Sequence, residues 1–245
     1  MRKTLSERIL TIPNKLSGGR DRRDDVSYGP HEDMKYDEFP NDGPIVMFWH
    51  GGSWTTGNKE MYRFVGNMLQ KLGAHAIVMG YPRFPKQTFP GFIDDATRAI
   101  EFVRAQYPNR KIYAMGHSAG GHTALIAAMT HEVDGVIAIA APCNLSERYW
   151  SEVFGDSFKD KKHDPRTYVA SSKRQPKFLL IHGAIDHTVL VADSISLHRR
   201  LKKNKLQSEL SVIKLANHFT ILPLLVWGPL FRTRAKIKQF ILSER

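Results

Sequence analysis

Short, continuous apolar runs alternate along this chain with longer segments of helical period, and that alternation restricts the fold more than any other feature. Ile45-Val46-Met47-Phe48-Trp49 is apolar throughout, as a strand buried on both faces must be. His75 to Gly80, Lys111 to Met115, Gly135 to Ala140, Phe178 to Ile181 and Leu210 to Leu215 read as further strands. Between them, Asn58 is placed to cap a helix through about Leu72, with Met61, Phe64, Val65, Met68, Leu69 and Leu72 on one stripe. Ala96, Ala99, Ile100 and Val103 predict a helix over Phe92 to Tyr107, stopped by Pro108. Ala119 to Met129, Val191 to Lys203 and Thr233 to Leu242 supply three more. Strand–helix alternation requires right-handed crossovers, so the expected fold is α/β, a mostly parallel central sheet with helices on both faces.

Ile9 to Ile12 and Met34 to Phe39 are short strand candidates for an antiparallel edge. Leu16 to Asp25, where Gly18-Gly19 precedes a mixed-charge run, reads as a solvated loop. The interval 142–176 lacks clear periodicity, and unpatterned stretches of that length are usually lids or binding segments. The expected organisation is one domain over 1–245, with 142–176 as a small cap or lid.

Composition narrows the function classes. The 36 Lys and Arg against 24 Asp and Glu leave a net charge of +12, but the basic residues are scattered and form no nucleic-acid motif. The surplus is read as solubility and steering. The single cysteine, Cys143, excludes an intrachain disulfide and a thiolate zinc site. Glu7 and Arg8 precede any apolar stretch, so no signal peptide is expected, and Ile221 to Phe231 is broken by Pro223, Gly228 and Pro229 before it could span a bilayer. A cytoplasmic setting is expected.

In an open parallel sheet, ligands bind beyond the carboxyl ends of the strands. Lys111 to Met115 runs into Gly116-His117-Ser118-Ala119-Gly120, a G-x-S-x-G sequence with a strand before it and a small-residue helix after it. Two glycines permit a turn tight enough to push Ser118 outward, and the helix N-terminus beneath favours developing negative charge. A serine hydroxyl needs a base, and the base needs an orienting group. For a nucleophile on such an elbow the partners follow in the order acid, then histidine. Asp186 lies in the loop after strand Phe178 to Ile181, and His218 in the loop after Leu215. Asp193 and Glu209 are the weaker candidates for the acid, because one lies in the following helix and the other begins a strand. His117 and His122 flank the nucleophile, and His182 and His187 are read as supporting or surface residues.

His50-Gly51-Gly52-Ser53-Trp54 directly follows the first buried strand. Glycines there let a loop turn its N–H groups inward, toward the oxyanion that acyl transfer generates. Gly52, Ser53 and Ala119 are the candidate donors, with His50 and Gly51 propping the loop.

His50-Gly51-Gly52, Gly116-His117-Ser118-Ala119-Gly120-Gly121, Asp186 and His218 together resemble the α/β-hydrolase esterases related to hormone-sensitive lipase and to the kynurenine formamidases. Tyr81-Pro82-Arg83-Phe84-Pro85 and Phe89-Pro90-Gly91 through Ala96 are similar to a further segment of that family, so the likeness runs from about Ile45 to His218. It implies Ser118, Asp186 and His218 as triad and Gly52, Ser53 and Ala119 as oxyanion donors. Ser53 stands where the lipase-like branch has a third glycine, and H-G-G-S-W is closer to the formamidase-like branch. The expected activity is a cofactor-free, metal-free serine carboxylesterase acting on small, short-chain acyl esters, with Trp54 and Phe84 as candidate pocket walls. Aryl formamidase is the alternative within enzymes. A receptor or scaffold on the same fold is the alternative outside them, and docking of Ile221 to Phe231 with Arg232, Arg234, Lys236 and Lys238 on an anionic membrane is a third.

Overall fold

The structure, a computed structural model, describes residues 21–172 and 175–243; the strand candidate Ile9 to Ile12 lies outside them. Eight strands form one sheet: β1 (Arg23–Ser27), β2 (Lys35–Phe39), β3 (Ile45–Trp49), β4 (His75–Met79), β5 (Ile112–His117), β6 (Gly135–Ile139), β7 (Lys177–Gly183) and β8 (Ser208–Ile213). Their spatial order is β1-β2-β4-β3-β5-β6-β7-β8. β1 and β2 run antiparallel at one edge, and every pair from β4 to β8 is parallel.

The helices are α1 (Arg63–Lys71), α2 (Gly91–Gln106), α3 (Ala119–Thr130), α4 (Glu147–Phe154), α5 (Ser157–Asp160), α6 (Val191–Lys203), α7 (Ile221–Val226) and α8 (Phe231–Leu242). Strand residues alternate between two cores. Ile45, Met47 and Trp49 of β3 belong to one cluster with Ala96, Ile100 and Val103 of α2, the apolar side of α3, and, over β7 and β8, Leu197 and Leu201 of α6. Val46 and Phe48 face Phe64, Val65, Met68 and Leu69 of α1, Ile221, Leu222 and Leu225 of α7, and Ile237, Phe240 and Ile241 of α8. Both faces of the sheet are therefore covered, as unbroken apolar strands require.

Three local expectations are corrected, and the unpatterned interval acquires its elements. Arg23, Asp24 and Asp25 read as part of a solvated loop, but they begin β1, because their charges find cross-strand and tertiary partners. Arg23 pairs with Glu38, and Asp25 with the buried Lys59. The segment after Asn58 is a 3-10 turn (Lys59–Tyr62) followed by α1, and Asn58 caps that turn by accepting from Met61 N–H at 3.0 Å. β8 starts and ends two residues earlier than expected: the chain turns at Ala216 N–H to Ile213 O, 3.2 Å, which leaves Leu215 exposed. Within 142–176 the chain forms α4, α5 and a 3-10 turn (Pro165–Tyr168), each too short for an apolar period to show in sequence.

Candidate active site

β3, β5, β7 and β8 deliver their carboxyl ends to one rim of the sheet, and the candidate triad and oxyanion residues follow them, while the candidate wall Phe84 follows β4. After β5 the chain turns sharply. A Cβ on Gly116 would lie 2.2 Å from Gly120 O, and one on Gly120 would lie 2.1 Å from Trp49 O, so neither position admits a side chain. Ser118 is held between them at φ 54, ψ −123, outside the regions favoured by L-residues, at a cost of about 1–3 kcal/mol. Its own N–H donates to Ile139 O at 2.9 Å, and its carbonyl accepts the first bond of α3 from His122 N–H.

The structure brings Ser118, His218 and Asp186 together although up to 100 residues separate them. Ser118 Oγ lies 2.9 Å from His218 Nε2, and His218 Nδ1 lies 2.8 Å from Asp186 Oδ2. A carboxylate only accepts, so the imidazole proton sits on Nδ1 and Nε2 is free to accept the serine hydroxyl. Asp186 Oδ1 takes two further bonds, from the N–H groups of Thr188 and Val189, each at 2.9 Å. Burial alone raises the Asp186 pKa, but hydrogen bonds from His182, His218 and Val189 N–H outweigh it and hold the carboxyl well below the usual carboxylate range. Asp193, by contrast, accepts from Cys143 and Asn144 N–H, and Glu209 is exposed on β8.

The loop after β3 lies against this elbow. A Cβ on Gly51 would come within 2.9 Å of His117 Nδ1 and 3.2 Å of Ser118 Cβ. Gly52, Ser53 and Trp54 take positive φ of 132, 55 and 57 in succession, and Gly52 O accepts from Thr55 and Thr56 N–H. The loop thereby curls on the carbonyls of Gly51 and Gly52, which accept from within it, while Trp54 O accepts from Phe84 N–H at 2.9 Å. Among the described residues, the N–H groups of Gly52, Ser53 and Ala119 have no protein acceptor. His50 donates from Nδ1 to Gly51 O at 2.7 Å and stacks on Tyr81 with ring centres 4.4 Å apart. Burial lowers its pKa to about 4, so at neutral pH it is an uncharged prop. Tyr81 Oη donates to His50 O at 2.6 Å, and Arg83 donates to Gly57 O, so both ends of the loop are tied down. These two supports stand in the Tyr81-Pro82-Arg83 segment, where only the family likeness marked them in the sequence.

Trp54 is buried, its ring 4.8 Å from Phe154, 5.1 Å from His122 and 5.2 Å from Trp150. It shares an apolar cluster with Phe92, Val153 and Ala119, the residue next to the nucleophile, and Phe84 packs on the cluster's flank. Helix α4 thus packs two aromatic rings, Trp150 and Phe154, on Trp54. His122 donates from Nε2 to His163 O at 2.7 Å, tying α3 to the same segment, and burial lowers its pKa to about 4. His117 donates from Nε2 to His218 O at 3.0 Å; burial, with the neighbouring His218, lowers its pKa to about 3. His187 is exposed. Cys143 is buried, its thiol pushed up by that burial. Among the described residues, His31, Glu32 and Asp33 are the group whose ligand atoms converge enough for a cation, and Lys86 Nζ already pairs with Glu32 at 2.7 Å and Asp33 at 3.5 Å. No helix among the described residues is long and apolar enough to cross a membrane.

The parallel sheet, the elbow after β5 and the placement of acid and histidine after β7 and β8 define an α/β-hydrolase fold. Esterase B from Lactobacillus rhamnosis, solved as an inhibited complex, superposes with a TM-score of 0.81 at 17% identity, over 94% of this chain and 90% of that one. In sequence, the family described as BD-FAE matches residues 35–149, just under half of the chain. Kynurenine formamidase from Danio rerio is 33% identical over 112 residues, covering 43% of this chain and 38% of that protein. Versiconal hemiacetal acetate esterase from Aspergillus parasiticus is 29% identical over 122 residues, 43% of this chain and 39% of that protein. The chain therefore spans about two fifths of the length of these curated relatives. The likeness to α/β-hydrolase esterases and kynurenine formamidases read from the motifs is met by these matches.

Proposed function

We propose that this chain is a serine carboxylesterase that cleaves small acyl esters through an acyl-enzyme. The observation that carries this is the pair of bonds, 2.9 Å and 2.8 Å, linking Ser118 to His218 and His218 to Asp186 on a strained elbow. In the proposed reaction His218 Nε2 takes the Ser118 proton as Oγ attacks the carbonyl carbon. The oxyanion rests on the N–H groups of Gly52, Ser53 and Ala119, each such donor being worth roughly 3 kcal/mol of barrier. Asp186 stabilises the imidazolium, which then protonates the leaving alcohol, and water repeats the sequence on the acyl-enzyme. Neither a metal nor a cofactor enters any step. In this reading segment 142–176 acts as a small lid, supported by α4 placing Trp150 and Phe154 on Trp54 in the cluster that includes Ala119, and short acyl groups are the expected substrates.

Aryl formamidase activity is the second reading, favoured by the match to the Danio rerio enzyme and by Ser53 in the H-G-G-S-W loop. Assaying p-nitrophenyl acetate and N-formylkynurenine with wild type and Ser118→Ala tests both. Turnover of either substrate that disappears in the folded variant supports a serine hydrolase and says which amide or ester it prefers. Undiminished turnover in Ser118→Ala overturns the proposal, and a wild type that neither turns over nor labels would make the chain a binding protein on a hydrolase fold.

A further inference from the structure

We propose that His182 and Ser194 are positioning residues that anchor the loop carrying Asp186, with Ser194 fixing the His182 tautomer on which that anchor depends. This rests on the serine-hydrolase assignment above. His182 is the sixth residue of β7 and is wholly buried. Its Nε2 lies 2.9 Å from Val189 O and 3.4 Å from Asp186 Oδ2. Both of those atoms can only accept, so Nε2 must carry the proton. In the proposed arrangement that is the ring's one N–H, so Nδ1 is bare and Ser194 Oγ, 2.7 Å away, donates to it. Ser194, in the first turn of α6, is itself 3% exposed, so no bulk water competes for this bond. The donors and acceptors thus run in one direction, from Ser194 through His182 to Val189 O, in the loop whose N–H groups hold the Asp186 carboxylate; Asp186 Oδ2 itself stands 3.4 Å from the ring.

Two consequences follow for the reaction. Asp186 Oδ2 takes a hydrogen bond from His218 and Oδ1 takes two from the N–H groups of Thr188 and Val189, while His182 holds the carbonyl of that same Val189, so the loop that aims the carboxylate at His218 is anchored to β7. The opposite tautomer of His182 would turn a lone pair toward Val189 O and Asp186 Oδ2, two acceptors, and would drive the 184–190 loop away from β7. A hydroxyl contributed by α6 therefore decides whether the acid is aimed. His182 touches neither Ser118 nor the reacting carbonyl, so its effect passes entirely through Asp186.

Imidazole 15N–1H correlation spectra of the histidine-labelled protein test the tautomer without reference to turnover: His182 is expected to be protonated at Nε2, with Nδ1 bare. In Ser194→Ala that signal should become a mixture of tautomers, and Ser194→Thr should restore it. In kinetics, His182→Phe should lower kcat about threefold to tenfold, the effect of one lost neutral hydrogen bond that holds the acid's loop, with KM changed by less than about twofold. His182→Gln, whose amide reaches the position of Nε2, should recover most of the loss. A wild-type His182 protonated at Nδ1, a tautomer indifferent to Ser194→Ala, or wild-type kcat in folded His182→Phe would overturn the inference. Should His182→Phe fail to fold, the wild-type and Ser194 spectra still decide. A wild-type protein that turns over no ester or amide would instead overturn the serine-hydrolase assignment, whatever the tautomer.

Discussion

Three imidazoles around the site, those of His50, His117 and His122, are buried and neutral, and this makes stability depend steeply on mild acid. Burial lowers their pKa values to about 4, 3 and 4, from an unfolded value of about 6.5. Below pH 6.5 the unfolded chain takes up protons that the folded chain refuses, so the stabilisation is full above that pH and is lost as pH falls toward the folded values. At pH 5 each imidazole has lost about 1.5 pH units of linkage at 1.36 kcal/mol per unit, roughly 2 kcal/mol, and the three together roughly 6 kcal/mol. That is comparable to the whole stability of many domains, about 5–15 kcal/mol. Asp186 titrates far below this window and does not offset it. Urea unfolding at pH 7.5 and pH 5.0 measures the difference directly, and His122→Phe should remove about a third of the pH dependence, whatever it does to stability at neutral pH. Equal unfolding free energies at the two pH values, within about 1 kcal/mol, would refute the reasoning.

Other outcomes follow from the same geometry. Gly120→Ala places a Cβ 2.1 Å from Trp49 O and should cost several kcal/mol or prevent folding, which thermal melts will show; a wild-type Tm would mean the elbow is far looser than described. Trp54→Ala empties the aromatic cluster beside Ala119, should cost about 3–5 kcal/mol, and should raise the hydrolysis of p-nitrophenyl hexanoate relative to acetate; an unchanged chain-length ratio would detach Trp54 from the acyl side. Wild type should prefer butyrate to palmitate esters, and the reverse order would contradict the small, aromatic-walled site. Asp186→Asn keeps the shape but loses the charge and the tautomer control, so kcat should fall by about a thousandfold to ten-thousandfold, as in other serine triads. A loss below about tenfold would remove Asp186 from the machinery.

The parts of the fold and site that were legible in the sequence are those where backbone geometry restricts residue type locally. Gly116 and Gly120 announce the elbow because no side chain fits there, and β3 and β5 announce themselves because a strand buried on both faces tolerates little but apolar residues. Asp186 and His218 were legible from their places after β7 and β8. What escaped depends on partners brought from elsewhere. β1 looks like a charged loop until Asp25 meets Lys59, which also reaches the buried Asp37 at 2.7 Å. Tyr81 looks like core until its hydroxyl is seen on His50 O. Ser194 looks like an ordinary helix residue, since only the packing of α6 against β7 brings it to His182. The helices of 142–176 are one or two turns long, held by aromatic contacts to Trp54 and Phe92 rather than by their own period.

Mass spectrometry of the intact protein after exposure to a fluorophosphonate tests the proposed nucleophile most directly. A single adduct mapped to position 118, formed at a rate that collapses in His218→Ala, is the predicted outcome. A label on another residue, or one that forms as fast without the imidazole, would contradict it.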